Sequence, residues 1–311
     1  MSSKQHIIHF DIIRTLCILE VVAYWHIKDY FPFLTFSIVY KYGYQITVGA
    51  LAMFTFMSGC LTSYKGNVYL FYKRRFLRVV PPLVISCVLM YLTGYQRLSF
   101  ANYFLTCVGL YIFCDPLPQT IWYISMIIMF YFFTPLLLTK SKRYRIINFV
   151  SIYGILVFLR FFYEIDDRIL IYFPFYFLGV GMDKYKFIEI SYQKGLVLFG
   201  CGSISFIVLC FLNIYMPEMV SNLLNALIGC ILIYGLCISI FPIVKHTKWI
   251  KIIAYSSMFM YLFHRPLYEI IINKFLCGFS LLYLLMLVSL VIISYYSQHI
   301  YDYFIKKIEN F

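Results

Sequence analysis

Residues 223–243 read LLNALIGCILIYGLCISIFPI, a run of 21 residues without a charged side chain. A helix needs about 20 predominantly apolar residues to cross the hydrocarbon core of a bilayer, so this run predicts a transmembrane helix. Nine further apolar runs lie on either side of it, at 9–27, 43–64, 78–95, 121–139, 146–163, 168–183, 196–216, 252–271 and 279–300. Together they predict an all-α, polytopic integral membrane protein with about ten transmembrane helices.

The composition supports one membrane domain over residues 1–311. The chain is 63% hydrophobic and 13% charged, whereas soluble domains carry about 25% charged residues. No polar stretch is long enough for a separate soluble domain. The formal net charge of +13 would suggest nucleic acid in a soluble protein. Here the basic residues lie between apolar runs, which predicts membrane lipid as a partner and no nucleic acid.

The placement of Lys and Arg predicts the orientation. If the segment 96–120 does not cross, 18 of the 26 basic residues lie on the side of the N-terminus and 5 on the opposite side. This is a strong positive-inside bias, and it nearly vanishes if the segment does cross. We therefore expect both termini to be cytoplasmic and the segment 96–120 to be re-entrant or interfacial.

Polar side chains in the first run are candidates for a site, because ionisable groups inside a membrane are costly and often functional. Arg14, Glu20 and His26 are the main ones. Arg14 and His26 are twelve residues apart, about 18 Å along a helix. Simpler interpretations exist: His26 follows Tyr24 and Trp25 and fits an aromatic belt, and Arg14 fits a side chain that reaches the inner headgroups.

A second group of polar residues lies just before and at the start of the third run, which begins at residue 78. Lys73, Arg74, Arg75 and Arg78 enter the membrane from the predicted cytoplasmic side. They fit either an inner-leaflet anchor or an anion site, because guanidinium groups suit phosphates. A cofactor that carries a diphosphate would need such a site on the cytoplasmic side.

Two further residues lie deep in the ninth run. Arg265 is too deep for an ordinary loop charge, and His264 either shares a site with His26 or bonds a carbonyl freed by Pro266. No group of Cys and His residues has the spacing of a metal site, so we expect no metal.

Six motifs follow one another in order over most of the chain. They are Phe10-Asp11-Ile12-Ile13-Arg14 with His26, Phe56-Met57-Ser58-Gly59, Arg75-Phe76-Leu77-Arg78-Val79-Val80-Pro81, Ile121-Trp122-Tyr123-Ile124 with Tyr131 and Pro135, Phe173-Pro174-Phe175-Tyr176-Phe177-Leu178-Gly179, and Tyr261-Leu262-Phe263-His264-Arg265-Pro266. In this order they resemble the acyltransferase 3 family of membrane O-acyltransferases.

One departure from the family concerns the first motif. The family usually places its Arg and His eleven residues apart, on nearly the same helix face. Here the spacing is twelve, with Trp25 as the apparent insertion. An unbroken α-helix would rotate His26 about 120° away from Arg14, whereas a single π-helical turn would absorb the extra residue.

The resemblance implies transfer of an acyl group, most often acetyl, from acetyl-CoA to a hydroxyl of a glycan. A bacterial surface polysaccharide or its lipid-linked precursor is the expected acceptor, and the bacterial inner membrane is the expected location. The implied residues are His26, Arg14 and Glu20 for catalysis, Arg75, Arg78, Arg74 and Lys73 for the cofactor, and His264, Arg265, Ser58 and Trp122 for the substrate or the oxyanion.

Two other functions remain open from the residues alone. A flippase or transporter for a lipid-linked sugar would also use charges within the membrane, although internal repeats are not visible. A non-catalytic partner in polysaccharide assembly would need none of the implied site residues. Polysaccharide-assembly proteins and a second copy of the chain are the expected protein partners.

Overall fold

The computed structural model describes residues 8–31, 42–62, 66–139, 141–182, 191–212, 216–245, 247–274 and 278–309. Across these ranges the chain is helical and forms no strand. Its α-helices are α1 Ile8–Leu19, α2 Gly43–Cys60, α3 Val68–Thr93, α4 Phe100–Cys107, α5 Trp122–Leu137, α6 Lys142–Tyr163, α7 Arg168–Gly181, α8 Tyr192–Leu212, α9 Glu218–Val244, α10 Lys248–Lys274 and α11 Phe279–Glu309. A π-helical segment at Glu20–Trp25 and 3-10 segments at His26–Asp29 and Tyr111–Phe113 complete the order.

Within the described ranges, five helices are long and apolar enough to cross a membrane, namely α3, α6, α8, α9 and α11. Helices α5 and α7 are apolar but shorter. The all-α, multi-pass membrane class predicted from the sequence is therefore confirmed. The count of ten crossings stays a prediction. The side on which the termini lie also stays a prediction, and residues 1–7 and 310–311 are outside the described ranges.

Helix α3 begins ten residues before the apolar run that predicted it. The side chain of Asn67 accepts a hydrogen bond from the backbone N–H of Leu70 at 2.9 Å and caps the helix. The basic residues from Lys73 to Arg78 are thus part of the helix. Hydropathy placed the start at residue 78 because it cannot distinguish a charged end of a helix from a loop.

The segment 96–120 folds back on itself, and its predicted re-entrant or interfacial position in a membrane stays a prediction. Gln96 bonds the carbonyl of Leu117 at 3.1 Å and the backbone N–H of Gln119 at 2.8 Å, so the two ends lie side by side. The helix between them, α4, has only eight residues, about 12 Å, which is too short to cross a bilayer. Gly109 lets the chain pass close to α5, since a Cβ there would lie 2.9 Å from the side chain of Ile128.

At three prolines inside helices, a hydroxyl group from another helix bonds the backbone carbonyl that the proline frees. A proline removes the hydrogen bond to the carbonyl four residues earlier. Pro266 frees the carbonyl of Leu262, and the Ser86 hydroxyl donates to it at 2.7 Å. The same pairing recurs at Pro81 and Pro174, where the hydroxyls of Tyr301 and Tyr153 donate to the carbonyls of Leu77 and Leu170. These bonds satisfy backbone groups that neither lipid nor the helix itself could satisfy.

The chain divides into two compact units, and each is made of two separate stretches. The first unit comprises Met1–Met57 and Met182–Ser257, and the second comprises Ser58–Gly181 and Met258–Phe311. Helices α2 and α10 contribute residues to both units. The single domain predicted over 1–311 is not tested by this division and stays a prediction.

Glycines bring the helices of the first unit into close contact. A Cβ on Gly49 of α2 would lie 2.5 Å from Cα of Gly229 on α9. A Cβ on Gly235 of α9 would lie 2.4 Å from the backbone nitrogen of Phe199 on α8. Small residues at such crossings are how membrane helices approach closely without a hydrophobic driving force.

Candidate active site

In the first unit, the helix that carries Arg14 changes geometry before it reaches His26. Helix α1 ends at Leu19 and continues as the π-helical segment Glu20–Trp25. The backbone N–H of His26 donates to the carbonyl of Val21, five residues earlier. Of the two geometries left open by the twelve-residue spacing, the structure has the one with a π-helical turn between Arg14 and His26. Both side chains are half-buried.

Glu20 opens the π-helical segment and is held by a residue of α2. The hydroxyl of Thr47 donates to Oε1 of Glu20 at 2.8 Å and lies 2.9 Å from the carbonyl of Gly43, so its proton is shared between two acceptors. The other carboxyl oxygen, Oε2, is buried and has no hydrogen-bond partner within the described part of the chain. Glu20 is therefore a fixed acceptor with one oxygen still available.

The inserted residue, Trp25, packs against the beginning of α2. A Cβ on Gly43 would lie 2.9 Å from the ring of Tyr24 and 3.1 Å from that of Trp25. The Lys28 ammonium lies 3.0 Å from the centre of the Trp25 ring, close enough for a cation–π contact. These contacts hold the turn just before His26 against α2.

In the second unit, Arg75 and Ser58 meet at Tyr131. The Ser58 hydroxyl is 3.1 Å from the Tyr131 hydroxyl. The Arg75 guanidinium lies 5.3 Å from the centre of the Tyr131 ring, and its Nη2 donates to the carbonyl of Leu61 at 2.9 Å. Leu61 directly follows the last residue of α2, so Arg75 also satisfies a carbonyl at a helix C-terminus.

Gly59 packs against a fourth motif, the one at 173–179, next to the residues around Tyr131. A Cβ on Gly59 would lie 2.3 Å from the carbonyl oxygen of Tyr176 and 3.1 Å from the backbone of Gly179. The Tyr176 ring lies 6.3 Å from that of Tyr131. Four of the six motifs thus converge on one group of residues, which we call the Arg75 cluster: Ser58, Gly59, Arg75, Tyr131 and Tyr176.

The other basic residues at the start of α3 are more exposed than Arg75. Arg74 and Arg78 are exposed. Lys73 is also exposed and lies two residues before Arg75, about 200° around the helix. The structure therefore does not bring Lys73 to the Arg75 cluster, and its role as a cofactor ligand stays a prediction.

Trp122, His264 and Arg265 belong to a second group in the same unit, which we call the Trp122 cluster. The Tyr261 hydroxyl donates to the carbonyl of Thr120 at 2.6 Å, and its ring lies 5.5 Å from that of Tyr123. His264 is fully buried, and its Nδ1 is 2.7 Å from the carbonyl of Tyr261. The guanidinium of Arg265 is 5.5 Å from the centre of the Tyr95 ring.

Arg168, the first residue of α7, and Asp166 in the loop before it complete the Trp122 cluster. The Arg168 guanidinium lies 4.1 Å from the centre of the Trp122 ring and forms a salt bridge of 2.7 Å with Asp166. Trp122 is the first residue of α5 and Tyr131 is nine residues later, about 13 Å along the helix. The four residues predicted for the substrate or the oxyanion are therefore split, because Ser58 lies in the Arg75 cluster and the other three lie in the Trp122 cluster.

Sequence reasoning missed Thr47, and no pattern could have found it. It is 27 residues from Glu20, and its only local signal is a hydroxyl in an apolar helix. Tyr131 and Tyr176 were quoted within motifs but were not proposed as site residues. Among the described residues, no three His, Cys, Asp or Glu side chains lie close enough to hold a metal ion.

These features define a multi-pass helical membrane protein with a buried carboxylate and a half-buried histidine in one unit and an arginine at a tyrosine cluster in the other. The chain belongs to the acyltransferase 3 family, since the family model for an acyltransferase domain matches residues 7–299. The resemblance found from the six motifs is thereby confirmed, and it supports acyltransferase activity. No curated protein and no solved structure matches the chain.

Proposed function

We propose that this protein transfers an acetyl group, or another short acyl group, from acyl-CoA to a hydroxyl of a glycan. The acceptor is a bacterial surface polysaccharide or its lipid-linked precursor, and the enzyme lies in the bacterial inner membrane. The observation that carries the proposal is the π-helical turn that ends at His26. This turn supports a role for His26 despite the inserted residue, because such turns are frequent at functional sites.

His26 is the general base in this proposal. A neutral imidazole accepts the proton of the acceptor hydroxyl while the hydroxyl oxygen attacks the carbonyl carbon of the thioester. The new C–O bond forms, the C–S bond breaks, and the proton on the imidazole passes to the departing thiolate of coenzyme A. Atoms and charge balance without a further reactant.

Arg14 and Glu20 support the base. Thr47 holds one oxygen of Glu20 in place, so the carboxylate can orient a polar partner with its other oxygen. Arg14 lies twelve residues before His26, about 18 Å in a regular helix, which is of the order of the pantetheine arm of acyl-CoA. We assign Arg14 to that arm or to the phosphates beyond it.

Arg75 and Arg78 bind the phosphates of the donor in this account. A guanidinium can offer two parallel donors to a phosphate, and it stays charged at any working pH. Arg78 is exposed, and Arg75 is fixed by Tyr131 and by the carbonyl of Leu61. Arg74 and Lys73 add positive charge on the same turns of α3.

The Trp122 cluster is our candidate for the acceptor and the oxyanion. Aromatic faces suit the apolar faces of sugars, and a buried guanidinium stabilises developing negative charge. Arg265 is 6% exposed, so its charge is little screened by water. His264 and Trp122 line this cluster. Ser58, the fourth candidate for the substrate or the oxyanion, would contribute from the Arg75 cluster.

The test uses membranes that contain this protein and the host's own glycans, incubated with acetyl-CoA labelled at the acetyl carbon. We expect base-labile label in the glycan fraction, and we expect His26→Ala to abolish it while His299→Ala leaves it unchanged. Unlabelled glycan in membranes with intact wild-type protein would contradict the proposal. Altered glycan export with unchanged acylation would point to a transporter or to an assembly partner.

A further inference from the structure

A groove of about 430 Å³ lies on the surface of the second unit, between α3, α4 and α5. This volume is within the range of about 300–1,000 Å³ that small-molecule sites occupy. Apart from Lys73 and Cys107, its lining is entirely hydrocarbon or aromatic. It includes Phe76 and Val80 from α3, Val108 after α4, and Ile128 from α5.

The groove is separate from the Arg75 cluster. Lys73, Phe76 and Val80 follow one another at intervals of three and four residues, so they form one stripe along α3. Arg75 lies about 200° away from Lys73 around the same helix. The groove therefore uses a face of α3 other than that of Arg75, and of the four basic residues proposed for the donor only Lys73 lines it.

The chemistry of the lining is asymmetric. One cation, Lys73, lies at the end of the groove nearest the start of α3, and from Lys73 to Val80 the stripe is apolar over about 10 Å. A cation at one end and hydrocarbon along the rest complement a ligand with an anionic head and a hydrocarbon tail. The pantetheine arm of acyl-CoA fits poorly, because its two amides would find no hydrogen-bonding side chains along the apolar stripe.

We propose that this groove binds one acyl chain of an anionic membrane phospholipid, whose phosphate meets Lys73. Helix α3 is long and apolar enough to cross a membrane, so hydrocarbon chains surround it. The anionic headgroup distinguishes this site from the general lipid surface, because juxtamembrane lysines attract anionic lipids. The lipid would also rest against Val108 and so support the position of α4. This inference does not depend on the proposed transferase reaction.

Native mass spectrometry of the full-length protein tests the proposal, with phosphatidylglycerol and phosphatidylcholine of identical chains as probes. We expect the wild type to retain more phosphatidylglycerol than phosphatidylcholine. Lys73→Gln should lower the ratio of the two retained lipids about fivefold, the effect of one lysine near an anionic headgroup. Lys142→Gln, at an exposed lysine at the start of α6 and outside the groove, should keep the wild-type ratio.

A second pair of variants tests the tail. Val80→Trp fills the groove and should lower retention of both lipids, whereas Val84→Trp, at a position 42% exposed that does not line the groove, should not. Val108→Trp fills the groove from the other side, if Val80→Trp proves unstable. Equal retention of the two lipids by the wild type would overturn the proposal. Displacement of phosphatidylglycerol by acetyl-CoA in the wild type and in Arg75→Lys alike would also overturn it and assign the groove to the donor.

Discussion

The backbone N–H of His26 bonds to the carbonyl of Val21, five residues earlier, instead of to the carbonyl of Val22 as in an α-helix. Twelve α-helical steps from Arg14 would leave His26 about 120° away around the helix, and eleven steps would leave it about 20° away. The wide turn takes up the one residue of difference. The change in backbone geometry at this turn is what would keep His26 on the face of Arg14 despite the spacing of twelve.

Changes of length in this turn give the first prediction. Deletion of Ala23 shortens the spacing from Arg14 to His26 to eleven residues and leaves Tyr24 and Trp25 directly before His26. We expect it to keep acyl transfer within about tenfold of wild type. Insertion of one alanine after Val22 rotates His26 by about 100° and should abolish transfer. The rate of label transfer to glycan at matched protein levels is the measurement. An equal loss of acyl transfer in both variants would show that transfer does not depend on the position of His26 around the helix.

Thr47→Val removes the hydroxyl that holds Glu20 while keeping the shape of the side chain. We expect a loss of transfer of about tenfold and a lower melting temperature, because a hydrogen bond to a buried carboxyl is worth about 1.5–3 kcal/mol. Thr47→Ser keeps the hydroxyl and should therefore keep most of the wild-type transfer rate and melting temperature. If Thr47→Val matched wild type in rate and in melting temperature, Glu20 would not depend on this bond.

Gly59→Ala should destabilise the second unit. The new methyl group would lie 2.3 Å from the carbonyl oxygen of Tyr176, which belongs to a helix backbone and cannot swing away. We expect a cost of about 1–3 kcal/mol from overpacking, seen as a lower melting temperature in detergent. Gly154→Ala is the matched control, because nothing lies within 4 Å of a Cβ there. Equal melting temperatures for the two variants would contradict the close contact between α2 and α7.

Arg78→Ala should weaken donor binding without changing the fold. Arg78 is exposed, so its loss leaves no buried group unpaired. We expect KM for acyl-CoA to rise about tenfold with kcat and melting temperature nearly unchanged, since a phosphate contact acts equally on bound donor and transition state. Arg143→Ala, an exposed arginine of α6, provides the control. A fall in kcat at constant KM would instead place Arg78 at the reacting groups.

Much of the fold and part of the candidate site can be predicted from the sequence. The features that could not be predicted have physical reasons. The helical membrane class follows from hydropathy, and a spacing of twelve where eleven fits one helix face indicated a π-helical turn as one of two possible geometries. Lys73 was grouped with Arg75 because they are neighbours in the chain, yet two residues are enough to turn a helical side chain to the other side. The bonds from Thr47 to Glu20 and from Ser58 to Tyr131 join distant parts of the chain, and apolar composition carries no signal for such pairs.

The most direct measurement is the O-acyl content of the host's surface glycans, read by NMR before and after mild base. Cells that lack this protein would be compared with cells that express wild type, His26→Ala or His299→Ala at equal levels. We expect one acyl signal to disappear without the protein and with His26→Ala, and to return with wild type and with His299→Ala. An acyl signal that persists in the absence of the protein, or at wild-type strength with His26→Ala, would contradict the proposed function.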